Sequence, residues 1–216
     1  MVIAEGTLQN FVEERVRALR IAVGVMGSAG GNLGQDVLEK AFEMGRAIAL
    51  RGCVLVTGAC PGLPHEAVKG AKSANGLVVG ISPALNFEEH AIKYRSPYAG
   101  YDALVYTGSG LMGREIENIR SCDLVVFMGG RSGTLGEFAI AYDEGKVIGV
   151  LQGTGGIADR MDVIVSLVQK QTGSQIVYSR DPADLLGRLI AVYEEKLLPY
   201  YKTILANSDP DGKLEA

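Results

Sequence analysis

Seven short runs rich in Val, Ile and Leu, none alternating with polar residues and several ending in glycine, constrain this chain more than any other feature. They are "IAVGVMG" (21–27), "CVLVTG" (53–58), "LVVGIS" (77–82), "ALVYTG" (103–108), "DLVVFMG" (123–129), "VIGVL" (147–151) and "QIVYS" (175–179). A strand with one wet face alternates, whereas one without alternation is covered on both faces, as in a parallel sheet. Parallel neighbours need crossovers, and helix-period segments lie where crossovers belong: 35–51, 64–75, 112–121, 134–144, 158–170 and 183–205. Strand then helix, repeated, predicts one doubly wound α/β domain over 20–206, mostly parallel, with helices on both faces.

The ends read differently. In 1–19, Leu8, Phe11, Val12, Val16 and Leu19 share one stripe of an N-terminal helix, which could pack on the sheet or on a second subunit. Residues 207–216 are polar and turn-rich and predict a frayed tail. A net charge of -4 and a pI near 5.3, with no basic stripe, argue against nucleic acid as a partner. No apolar stretch approaches the roughly 20 residues that span a bilayer, and the first turns carry acids and arginines where a signal peptide is apolar. With Cys53, Cys60 and Cys122 forming neither a C-x-x-C pair nor an even disulfide set, a cytoplasmic protein without structural zinc is expected.

Ligands of open α/β sheets bind beyond the carboxyl ends of the strands, where glycines admit close backbone approach and helix starts offer amides to anions. Four glycine-dense loops fall on that edge: "GSAGGNLG" (27–34), "TGACPGLPHEA" (57–67), "TGSGLMGRE" (107–115) and "MGGRSGTLGE" (128–137). They nominate Gly27, Ser28, Gly58, Gly62, Gly129, Gly130, Arg131, Ser132, Gly133 and Thr134 as contacts to a phosphate-bearing ligand. The first of them, "GSAGGNLG", carries neither G-x-G-x-x-G nor G-x-x-x-x-G-K-[ST], which disfavours an NAD enzyme or a P-loop ATPase.

The motifs in combination resemble the Lonely Guy family: Arg114 on a helix, Asp123 nine residues later, and then "GGRSGTLGE" against the family's P-G-G-x-G-T-x-x-E. The stretch "TGACPGLPHEAVKGAKSANGLVVGISP" agrees upstream, and the resemblance runs from about residue 20 to 190. It implies a Rossmann-like fold, a homodimer or larger homo-oligomer, and hydrolysis of the N-glycosidic bond of a nucleoside 5'-monophosphate without cofactor or metal. A related branch carries the molybdenum cofactor, which leaves a non-catalytic carrier or sensor of a pterin phosphate or signalling nucleotide as the alternative. Older descriptions of the superfamily name lysine decarboxylation, yet no pyridoxal-anchoring lysine stands out here. The chain departs from the pattern at Arg131, where the family has a glycine, and at Glu115, where it has a lysine.

Under that resemblance Glu137 stabilises an oxocarbenium-like transition state and Arg114 orients phosphate or Glu137. Competing local readings exist for both. Thr134-Leu135-Gly136-Glu137 is also a capping box, and Arg114 could form a surface ion pair. Glu117 and Asn118 read as a solvated helix face, His65 as capping or exposed, and Tyr94, Tyr98 and Tyr101 as packing rather than base stacking. His90 lies in a polar connection, Cys60 lacks a paired base, and "GTGG" (153–156) forms a further rim turn.

Overall fold

The computed structural model describes residues 20–209, so the expected helix at 1–19 and most of the tail lie outside the described residues. All seven expected strands form: β1 (Ala22–Gly27), β2 (Val54–Thr57), β3 (Leu77–Ser82), β4 (Ala103–Tyr106), β5 (Leu124–Met128), β6 (Val147–Leu151) and β7 (Gln175–Ser179). They pair in parallel in the order β4-β3-β2-β1-β5-β6-β7. The chain leaves β1 toward β2 on one side and returns to β5 on the other, so the switch point lies between the carboxyl ends of β1 and β5.

In β1, β5 and β6 the uninterrupted apolar runs bury both faces, whereas β4, at the edge of the sheet, stays exposed or half-buried throughout despite its unbroken apolar run. In β5, Leu124, Val126 and Met128 enter one core and Val125 and Phe127 the other. The first core lies under α1 (Gln35–Leu50), α2 (Leu63–Ser73) and α6 (Pro182–Val192); the second lies under α3 (Gly110–Arg120), α4 (Ser132–Asp143) and α5 (Met161–Val168). Each fully buried Leu, Ile, Val or Phe contributes about 1.5–3 kcal/mol. Gly45 and Gly70 let α1 and α2 cross in contact, since a methyl on either would strike backbone of the other helix.

Boundaries shift where proline and glycine intervene. The segment expected as one helix at 183–205 is two, because Pro199 has no amide to return to the previous turn. A π-helical turn (Tyr193–Leu197) bridges α6 to α7 (Leu198–Asn207). The 158–170 segment is a 3-10 turn (Ala158–Arg160) followed by α5, which stops at Gln169 in the left-handed region (φ 50°). The long connection before β4 holds one π-helical turn (Glu89–Lys93). Fully buried His90 anchors that turn, with Ser82 Oγ 2.8 Å from Nδ1 and the Pro97 carbonyl 3.0 Å from Nε2.

Candidate functional site

α4 starts two residues earlier than its sequence suggests. Gly129 and Gly130, with φ 58° and 96°, turn the chain sharply at the end of β5, and the Leu135 amide is already bonded to the Arg131 carbonyl at 3.0 Å. Thr134 is therefore the third helical residue and Glu137 the sixth, so the expected capping box does not form. Glu137 also sits in the second turn, not the first. The amides of Ser132, Gly133 and Thr134 precede the first residue that can bond back within the helix.

Freed from the cap, Glu137 meets Arg114. Both side chains are buried, with each residue 7% exposed, and Arg114 Nη1 donates to Glu137 Oε1 at 3.2 Å. The surface ion pair expected as an alternative for Arg114 is thus an interior one. Gly58 makes room for it: a methyl there would collide with the guanidinium. Arg114 Nε has no hydrogen-bond partner. One turn further along α3, Asn118 is fully buried rather than solvated, donating to Met26 Sδ at 3.0 Å with Oδ1 unpartnered. Burial pushes the Glu137 carboxyl up to about 7, against the pull of Arg114 and with Glu115 adding to the rise. Glu117, on the outer side of α3, accepts from Ser109 Oγ at 2.7 Å.

Above the pair a cleft of about 360 Å³ opens at the switch point. Of the nominated residues, Gly27, Ser28, Gly58, Arg114, Arg131, Ser132, Gly133, Thr134 and Glu137 line it. Gly62, Gly129 and Gly130 stand behind it. Gly62 packs under the Ser28 carbonyl, the Gly129 amide donates to Thr154 Oγ1 at 2.9 Å, and the Gly130 amide donates to Ser28 Oγ at 2.7 Å. Ser28 is thereby a junction, since its carbonyl also accepts from the Leu63 amide at 2.9 Å. The lining also includes Met26, Ala29, Pro64 and Leu111, which were not nominated; the last three lie in the glycine loops but carry no polar side chain to mark them. Cys60 lines it as well, its thiol pushed by burial to about 11, which denies it a nucleophilic role at neutral pH.

Other nominated groups serve the fold. Asp123 lies at the opposite end of β5, where its carboxylate accepts from the Ala22 amide at 2.8 Å and from Tyr201 Oη at 3.0 Å. His65 stacks on Tyr101 with ring centroids 6.2 Å apart, and Tyr98 meets Phe87 edge-on at 5.3 Å. The "GTGG" turn buttresses the β5 loop, with the Ile157 and Ala158 amides donating to the carbonyls of Gly130 and Gly129 at 3.1 and 2.8 Å. Among the described residues, no group of three or more His, Cys, Asp and Glu side chains is gathered as a metal ligand set, and no helix is long and apolar enough to cross a membrane.

A seven-stranded all-parallel sheet with a polar cleft at its switch point defines a ligand-binding protein of Rossmann-like fold. Residues 20–186 match the SLOG cluster4 family, and the chain belongs to it. It is 33% identical over 130 residues to an uncharacterised protein of Archaeoglobus fulgidus, covering 60% of this chain and 79% of that one. Its structure is similar to that of TM1055 (TM-score 0.68, 26% identity, 79% of this chain and 98% of the other). It also resembles the molybdenum cofactor binding protein of the phototrophic bacterium Rippkaea orientalis (TM-score 0.63, 29% identity, 80% and 98%). The molybdenum cofactor carrier protein of Chlamydomonas reinhardtii is comparably similar (TM-score 0.64, 28% identity, 80% and 99%).

Proposed function

We propose that the cleft binds a nucleoside 5'-monophosphate and that the protein hydrolyses its N-glycosidic bond, releasing free base and ribose 5-phosphate. The observation that carries this reading is the buried Arg114–Glu137 pair at the floor of the cleft, with a carboxyl raised to about 7. The phosphate sits at the start of α4, where the amides of Ser132, Gly133 and Thr134, the Thr134 and Ser28 hydroxyls and the Arg131 guanidinium converge on the cleft. Arg131 adds a cation where the family pattern has glycine.

As the bond between the anomeric carbon and the base nitrogen breaks, its electron pair leaves with the base and positive charge grows on the sugar. The Glu137 carboxylate stabilises that charge and takes the proton of the attacking water, a role suited to a group that titrates near neutrality. A proton from solvent neutralises the departing base, so that Glu137 is left to return its own to water. Arg114 holds Glu137 in place and favours its ionised form. The test is incubation with AMP, GMP, CMP and IMP and chromatography of the free base. Release that disappears in Glu137→Gln supports the reaction; tight binding without release in either protein contradicts it.

A second reading, a non-catalytic carrier of a pterin phosphate, is favoured by the likeness to two proteins whose names state molybdenum cofactor binding or carriage, each nearly covered by this chain. We also propose a cytoplasmic homo-oligomer. Supporting association, Leu85, Phe87, Ile92, Tyr98, Leu111 and Met112 are exposed on α3 and on the connection before β4, with Leu85 lying beside Gly108 at the foot of α3.

A further inference from the structure

Glu115 stands next to Arg114 on α3, lines the same cleft, and is half-buried. Arg114 is committed to Glu137, and Glu115 has neither hydrogen bond nor ion pair among the described residues. Its carboxylate lies along the flank of α4, where methyl groups on Gly133 and Gly136 would stand 3.3 and 3.0 Å from its two oxygens. The two glycines, three apart on one helical face, open the space it fills. An ionised carboxylate only accepts hydrogen bonds, so a half-buried one without partners is completed by a ligand that donates. It also repels a phosphate from this flank of the helix start and leaves the phosphate to the side of Arg131 and Ser28.

On the reading of the cleft as a nucleotide site, the group one step along the ligand from that phosphate is the sugar, whose vicinal hydroxyls are two adjacent O–H donors. We propose that Glu115 accepts the 2'- and 3'-hydroxyls of ribose and makes the protein selective for ribonucleotides over deoxyribonucleotides. A carboxylate oxygen on a ribose hydroxyl is a recurrent solution in nucleotide sites, built elsewhere at a different point of the fold. Here it falls on the position where the resembling family carries a cation, so the sugar rather than the phosphate would be read by this residue.

The test is isothermal titration of the full chain with the pairs AMP and 2'-deoxy-AMP, and GMP and 2'-deoxy-GMP, and with inorganic phosphate, repeated for Glu115→Gln and Glu115→Ala. The ribo form is expected to bind at least about tenfold more tightly than its deoxy partner, as the loss of a hydrogen bond to a charged acceptor implies. In Glu115→Ala that ratio falls toward one and in Glu115→Gln, whose amide oxygen still accepts, it falls partway, while in both variants inorganic phosphate binds more tightly because the repulsion is gone. Opposite changes for nucleotide and phosphate would not follow from loosened packing alone. Equal binding of ribo and deoxy forms by the unmodified protein overturns the role of Glu115 and leaves the nucleotide reading standing. No binding of any nucleotide overturns both.

Discussion

At the floor of the cleft, removing one member of the Arg114–Glu137 pair leaves the other as an uncompensated interior charge. Arg114→Ala is expected to cost about 3 kcal/mol in urea unfolding. Glu137→Gln behaves differently, because the amide can still accept from Arg114. Burial raises Glu137 from an ordinary value of 4.5 to about 7, so the folded protein holds this proton more firmly than the unfolded chain does. Its contribution is fully present below pH 4.5 and lost as pH rises to about 7. Thermal melts of wild type and Glu137→Gln should therefore diverge over that window, the variant gaining relative stability with rising pH and the difference levelling off above it. A constant difference across the window would place the Glu137 titration elsewhere. Arg114 and Glu137 were visible in the sequence through their spacing and motif, and holding Glu137 was one of two roles expected of Arg114; that the pair is buried was not visible. Nothing in Thr134-Leu135-Gly136-Glu137 shows that the helix begins at Ser132, because that depends on the positive φ of Gly129 and Gly130.

At the scale of elements, the β5-to-α4 loop is held from both sides by Ser28 and Thr154 and positioned by two glycines in the left-handed region. Gly130→Ala combines an unfavourable φ of 96° with a collision of the new methyl with the Thr134 side chain. A loss of about 1–3 kcal/mol is expected, seen as a fall of several degrees in Tm. Ser28→Ala leaves the Gly130 amide without its acceptor and is expected to cost about 1–2 kcal/mol by the same melts. Unchanged Tm in both would mean that the loop is not held as described. The strands were legible because unbroken Val, Ile and Leu has one sheet environment to suit it. The helix ends at 158–170 and 183–205 were not, since Gln169 in the left-handed region and the π-helical turn ahead of Pro199 leave no mark in apolar periodicity. Asp123 shows the reverse case: its fixed spacing from the motif reads as part of the site, yet the residue clasps the amino end of β1 to α7.

For the molecule as a whole, the exposed apolar side chains around α3 have a consequence in solution. Met112 is 81% exposed, and Leu111, beside it, reaches the rim of the cleft. Sedimentation equilibrium should give a mass of at least two chains of 22.9 kDa, and Met112→Glu should shift it toward one. A wild-type monomer would contradict association. The parallel sheet and the rim on which its glycine loops gather were within reach of the sequence, because such loops follow the carboxyl ends of the strands; the strand order, and with it the switch point, was not. The identity of the ligand was not, because Met26, Ala29, Pro64 and Leu111 enter the lining from separate segments without a shared motif. Cleavage of a nucleotide in the Arg114–Glu137 cleft is tested by the release of free base from AMP, GMP, CMP or IMP by wild type and Glu137→Gln, followed as a function of pH. Release by wild type should climb as pH rises through about 7 and be lost in the variant, with nucleotide binding retained. Undiminished release by Glu137→Gln, or none by wild type at saturating nucleotide, would contradict it.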